Sequence, residues 1–151
     1  MIVATSEGEN MQIKFYDKVE DSLLKFAVII AKMDGKYVFC KHRERSTYEI
    51  PGGHREEGES VLAAAGRELY EETGAVKYDI KPVCVYSVTA PDEFDGAETF
   101  GGLFYAEIEE LEKELHSEIE RIDFFDEMPQ ELTYPQIQPK LIEEAKRRGF
   151  C

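Results

Sequence analysis

Tryptophan is absent from this 151-residue chain, and cysteine occurs only three times, at Cys40, Cys84 and Cys151. An odd, widely spaced set of thiols makes neither a metal-type pair nor a disulfide framework, as expected of a protein of the reducing cytoplasm. Cys40 and Cys84 read as small apolar strand residues. No apolar run approaches the ~20 residues that a membrane helix needs. The longest such stretch, residues 26–31, is strand-sized. The opening MIVATSEGENMQIKF has no basic region followed by a long apolar core, so no signal peptide is expected. Positive charge is also scarce: 18 Lys and Arg stand against 32 Asp and Glu, for a net charge of -14. Such a chain gains little from counterion release, which argues against long RNA or DNA as a partner. Internal repeats and low-complexity segments are missing. What remains is 42% hydrophobic and 11% aromatic, which suits one globular domain over residues 1–151 with a packed core.

The pattern along the chain mixes strands and helices. Residues 24–32 form a continuous β-rich run, as in a strand buried on both faces. Asp34-Gly35 offers a two-residue hairpin turn, and residues 37–41 return as a second strand. A charged loop, residues 42–47, leads to a short strand at 48–50, stopped by Pro51-Gly52-Gly53. Residues 60–73 are helical, with Ser60 as N-cap, Gly74 as C-cap and an apolar stripe of Leu62, Ala65 and Leu69. Gly66 inside this helix costs roughly 1 kcal/mol against Ala and would permit close packing. Further strands are expected at 83–89, 99–108 and 119–125, with Phe124 and Phe125 in the core, and a terminal helix at 139–148. Without βαβ regularity, the order fits an α+β fold: an α/β/α sandwich around a central mixed sheet.

The predicted helix carries the chemistry. Glu68, Glu71 and Glu72 stand at i, i+3 and i+4, so three carboxylates share one face while Leu69 turns to the core. Like charges at this spacing cost an isolated helix roughly 0.2–0.5 kcal/mol per pair. An acidic helix face alone is an ordinary solvated surface. A hard divalent cation would reverse the penalty, because Mg²⁺ takes one or two carboxylates and fills its octahedron with water and phosphate oxygens.

The spacing around this cluster is more specific. Gly53, five residues, Glu59, seven residues, Arg67-Glu68-Leu69, one residue, Glu71-Glu72, one residue and Gly74-Ala75 together resemble the Nudix box of the Nudix hydrolases. All nine positions match, with Ala75 the soft one. The preceding YEIPGG also looks like the family's lead-in, with Tyr48 where Trp is frequent. The resemblance implies a Nudix-type sandwich and an enzyme that cleaves a nucleoside diphosphate linked to another moiety with Mg²⁺ or Mn²⁺. It implies that Glu68, Glu71, Glu72 and the Gly52 carbonyl hold metal. Glu68 is then the water-activating base, oriented by Arg67 with Glu59 behind it.

Compact MutT-type members bring a further metal-binding Glu from before the last strand. Glu118 matches by position, and Glu98 is the rival. Arg43 and Arg45 suit phosphate, Tyr48 suits either a base or the core, and Gly53 lies beside the substrate. His42, His54 and His116 read as isolated structural or surface residues. Where the MutT-type pattern places an Asn before the final helix, this chain has Leu132-Thr133-Tyr134-Pro135, then Gln136 and Gln138. Pro91 falls one residue beyond the place where ADP-ribose-cleaving members carry a Pro. The resulting expectation is hydrolysis of a nucleoside triphosphate, oxidised dGTP first, to monophosphate and pyrophosphate. ADP-ribose or nucleotide-sugar cleavage and a non-catalytic nucleotide sensor stand as alternatives. The expected partner is a small nucleotide rather than nucleic acid or membrane. The family's frequent homodimer remains open.

Overall fold

In a computed structural model the described residues are 2–5, 11–90, 97–112, 114–115 and 118–151, with residues 2–5 described by backbone alone. His116, Pro91 and most of the acidic linker around it lie outside them. Ten elements follow in order: β1 (Ile2–Thr5), β2 (Gln12–Tyr16), β3 (Leu24–Met33), β4 (Lys36–His42), β5 (Gly52–His54), α1 (Val61–Thr73), β6 (Ala75–Thr89), β7 (Thr99–Leu111), β8 (Ile119–Phe125) and α2 (Gln138–Arg147), with a 3₁₀ turn at Asp21–Leu23. The strands form one mixed sheet in the order β1-β2-β6-β7-β3-β4-β8, and β5 also pairs with β3. The β3–β7 pair is parallel. Among the described residues, no helix is long and apolar enough to cross a membrane.

Strand β3 is apolar without interruption because both its faces are covered. Ala27, Ile29 and Ala31 meet Ala64, Ala65 and Leu69 of α1. Ile30 meets the opposite cluster, where Leu141, Ile142 and Ala145 of α2 pack. Period-two alternation therefore sends successive β3 side chains into two separate cores. The β3–β4 hairpin turns at Asp34 (φ 52°) and Gly35 (φ 80°), both in the left-handed region that a primed turn needs. The expected α/β/α sandwich around a mixed sheet is what forms.

Several local expectations need correction. The strand expected at 48–50 is reduced to isolated bridges, Cys40 with Glu49 and Tyr48 with Leu132. The glycines expected to stop it instead form β5, pairing Gly53 with Ala27 and Gly52 with Val28. A Cβ on Gly52 would come within 2.6 Å of the Ala27 carbonyl oxygen, so only glycine lets these backbones pair here. Leu62 is 51% exposed, and Ala64 takes the buried position beside Ala65 and Leu69. Phe124 is 45% exposed, whereas Phe125 packs on Phe39. Strands β6 and β7 are longer than expected, beginning at Ala75 and ending at Leu111, because each supplies the other's hydrogen-bond partner. Strands β1 and β2 had no sequence expectation; β2 adds Ile13 and Phe15 to the α2-side core. Gly66 does lie close to a neighbour, 2.9 Å from its ideal Cβ to the Tyr78 hydroxyl.

Helix α1 is bounded as its sequence requires. Ser60 Oγ accepts from the Ala63 N–H at 3.1 Å, and Gly74 takes φ 82° while its N–H donates to the Tyr70 carbonyl. A left-handed L-residue costs roughly 1–2 kcal/mol. Gly74→Ala is therefore expected to lower stability by about that amount, read as a lower urea midpoint with an unchanged m-value.

Candidate active site

The carboxylate face of α1 lies against β5. A Cβ on Gly53 would fall 1.9 Å from Glu68 Oε2, so a glycine cradles this carboxylate. The Gly52 N–H donates to Glu72 Oε1 at 2.9 Å. Glu68 and Glu72 are both buried, at 9% and 8% exposure, while Glu71 lies further out. The acidic face is therefore not a solvated one.

Arg67 organises the outer side of the cluster. Its Nε and Nη2 donate to the two oxygens of Glu59 at 2.7 and 2.9 Å. Nη1 donates to Glu68 Oε1 at 2.9 Å and to Glu71 Oε1 at 3.2 Å. Nη2 also donates to the His54 carbonyl at 3.0 Å, tying α1 to β5. This fork holds the Glu59 carboxyl at about 2, with the Glu56 N–H assisting. Arg67 itself is driven further above its usual range, chiefly by Glu59. The guanidinium is thus committed to orienting carboxylates.

Burial acts against charge on the inner pair. It raises Glu68 above the usual carboxylate range, with Arg67 opposing and the Glu71 and Glu118 charges adding to the rise. Burial likewise lifts Glu72 from 4.5 to about 8, against the Gly52 N–H and with the charges of Glu68, Glu49 and Glu118. Desolvated like charges of this kind call for a cation. The donor set of carboxylate oxygens fits a hard divalent ion, and the Gly53 cradle leaves the Glu68 oxygens room.

The remaining expected residues separate. The Glu118 carboxylate lies close enough to act on Glu68 and Glu72, and its carbonyl accepts from the Arg43 N–H at 3.0 Å. Glu98 is engaged elsewhere, accepting from Tyr16 at 2.5 Å and Ser87 at 2.6 Å. Arg43, Arg45, His42 and Glu118 line a cleft of about 320 Å³. Arg45 pairs with Glu49 and sits over the Tyr134 ring, 6.0 Å from its centroid. Tyr48 takes the core alternative: its ring meets Phe125 edge-on at 5.0 Å and its hydroxyl donates to Asp123. His54 is exposed beside Phe26.

Two residues enter that the sequence did not single out for the site. Glu49 is buried and lies 3.5 Å from His42 Nε2. His42 is not isolated, since the same nitrogen is 3.4 Å from Glu72 Oε2. No local pattern marks either one, because the Cys40–Glu49 bridge that brings them together is a tertiary contact.

On the α2 face of the same glycine pair lies a second cavity, of about 340 Å³, lined by Phe26, Val28, Tyr86, Val88, Tyr134 and Gln138 among others. Gln138 is 4% exposed, and its Oε1 has no hydrogen-bond partner among the described residues. A buried acceptor left unpaired beside an apolar cavity is suited to an N–H donor of a flat ligand.

Comparison with known proteins follows the same lines. The family model described as NUDIX domain matches residues 22–148. "Putative 8-oxo-dGTP diphosphatase YtkD" of Bacillus subtilis (strain 168) is 32% identical over 124 residues, 82% of this chain and 75% of its own length. An RNA pyrophosphohydrolase of Vibrio atlanticus (strain LGP32) is 35% identical over 60 residues, 40% of this chain and 35% of its own. Among solved structures, a mutant of the Bacillus subtilis pyrophosphohydrolase BsRppH aligns at TM-score 0.80 and 24% identity, over 99% of this chain and 98% of that one. A NUDIX hydrolase from Nitrosomonas europaea aligns at TM-score 0.66 and 23% identity, over 82% and 89%. At these identities the structural likeness is one of fold.

The raised Glu72 carboxyl gives a pH dependence of definite sign. The folded, metal-free chain keeps a proton that the unfolded chain releases above pH 4.5. Its contribution is full below pH 4.5 and is lost as pH rises to about 8. In chelator, the urea midpoint should fall across that window, and Glu72→Gln should flatten the slope.

Proposed function

The chain belongs to the NUDIX domain family, and we propose that it is a divalent-metal-dependent pyrophosphohydrolase of nucleoside triphosphates, with oxidised dGTP as the first substrate to test. The observation that carries this reading is the buried, under-compensated pair Glu68 and Glu72 beside the Gly52–Gly53 backbone. Mg²⁺ is the ion that best suits the site. Glu68, Glu71, Glu72, the Gly52 carbonyl and Glu118 would hold it, and when bound it would neutralise phosphate charge and lower the pKa of water.

The chain's own groups supply the rest. Glu68, its carboxyl raised by burial, accepts the proton of the attacking water. The water oxygen forms a bond to phosphorus as the bond to the leaving phosphate oxygen breaks, giving nucleoside monophosphate and pyrophosphate. Arg67 positions Glu68, and Glu59 positions Arg67. Arg43, which lines the cleft beside Glu118, would receive phosphate oxygens. The apolar cavity behind Gly53 would seat the base, with Gln138 Oε1 accepting from a base N–H. The relative described as an 8-oxo-dGTP diphosphatase supports this substrate class.

A substrate panel tests the reading: dNTPs, oxidised dGTP, ADP-ribose, nucleotide sugars and dinucleoside polyphosphates with Mg²⁺, following monophosphate and pyrophosphate. Triphosphate turnover is expected. Glu72→Gln should remove it by about a hundredfold or more, since even outer-shell losses at metal sites reach that size. Glu118→Gln should lower turnover more than Glu98→Gln; the reverse order would move the outer metal role to Glu98. Nucleotide binding without any turnover would make the protein a sensor.

The base reading has its own test. Gln138→Leu should raise KM for the preferred nucleotide about 3- to 10-fold, the value of one hydrogen bond, while kcat stays near wild type. An unchanged KM would take the base out of this cavity.

A further inference from the structure

Cys40 and His42 stand two positions apart on β4, so their side chains leave the same face of the strand. That face meets the end of α1. Cys40 Sγ is 3.8 Å from Glu72 Oε1, and His42 Nε2 is 3.4 Å from Glu72 Oε2. Donor atoms of Cys40, His42 and Glu72 all lie within 4.8 Å of one another. Glu49 Oε1 flanks this group, 3.5 Å from His42 Nε2. Around tetrahedral Zn²⁺, with bonds of about 2.3 Å to sulfur and about 2.0 Å to nitrogen and oxygen, neighbouring donors sit roughly 3.3–3.6 Å apart. The two separations to the Glu72 carboxylate, 3.8 and 3.4 Å, are close to that arrangement.

The hydrolytic reading uses neither Cys40 nor His42. A thiolate and an imidazole added to carboxylates select a softer ion than Mg²⁺ does, and Zn²⁺ binds such a set far more strongly. We propose that Cys40, His42 and Glu72 form a Zn²⁺ site, completed by solvent and joined to the hard-cation set through the shared Glu72.

The site is pre-built. Cys40 and Glu49 exchange backbone hydrogen bonds in both directions at 2.9 Å, which fixes their side chains relative to each other. The Gly52 N–H holds Glu72, and Arg45 holds the second oxygen of Glu49. These are the outer contacts that orient metal ligands. The cleft lined by His42, Arg43, Arg45 and Glu118 reaches the group at its His42 edge. On binding, the thiol loses its proton to solvent and a sulfur lone pair forms the Zn–S bond, with no change of oxidation state. Because Glu72 is shared, zinc weakens binding of the hydrolytic ion. That consequence rests on the function proposed above, whereas the site itself does not.

Cobalt spectroscopy tests the site without any substrate. The chelator-treated 151-residue chain is titrated with Co²⁺ and then with Zn²⁺. Expected are the intense visible bands of four-coordinate cobalt and a near-ultraviolet sulfur-to-cobalt charge-transfer band, both bleached by zinc. Cys40→Ala should lose the sulfur band and bind zinc at least about tenfold more weakly. His42→Gln, at a partly exposed position that spares the fold, should keep the sulfur band and also bind zinc more weakly. Absence of the sulfur band in the wild type, or its persistence in Cys40→Ala, overturns the proposal. Hydrolysis is read separately. A sulfur band without Mg²⁺-dependent turnover keeps the zinc site and removes the hydrolytic reading, and turnover without the band does the opposite.

Discussion

Glu68 and Glu72 are held out of water against the backbone of Gly52 and Gly53, and the rest of the site is arranged around that contact. Two carboxylates this close and this buried repel each other and lose hydration, so the charged state survives only with compensation. The compensation present is partial. One backbone N–H reaches Glu72, one fork of Arg67 reaches Glu68, and His42 stands beside Glu72. The remaining deficit is what supports the proposed cation site. The same contact explains why the glycines are required: a single methyl at Gly53 would displace the Glu68 carboxylate.

Strand β3 gives that contact its position. Its first half pairs with β5 and its end with β4, while β7 runs parallel along its other edge. Its alternate side chains bind α1 on one face and the α2-side core on the other. The glycine pair therefore borders both layers. Carboxylate chemistry faces α1, and the apolar cavity beside Gln138, whose Oε1 has no partner among the described residues, faces α2. A phosphate chain and the base attached to it would be served from opposite sides of one short strand.

Much of this was legible in the sequence where local rules operate. The capping of α1 by Ser60 and Gly74, the Asp34-Gly35 turn and the unbroken apolar run of β3 are each set by the backbone preferences and patterns of a few neighbouring residues. The nine spaced residues from Gly53 to Ala75 were legible for the same reason, since strand, loop and helix of that stretch are contiguous. What failed were inferences about which side a residue faces without a neighbour to decide it. Leu62 and Phe124 look like core but are exposed, because among the described residues no element covers their faces. The Pro51-Gly52-Gly53 run looks like a terminator but pairs with β3, since glycine tolerates a close backbone as well as a turn.

Taken alone, the sequence determined the family, the class of bond cut and the helix that carries the acidic cluster, because all three are encoded at short range. The tertiary structure decided how deeply those carboxylates are buried and what surrounds them. Burial of Glu72, the approach of His42 and Glu49, the hydrogen bonds that engage Glu98 with Tyr16 and Ser87, and the Gln138 Oε1 left without a partner among the described residues depend on distant segments meeting. Desolvation and Coulomb interaction are set by distance in space, and no spacing along the chain records it.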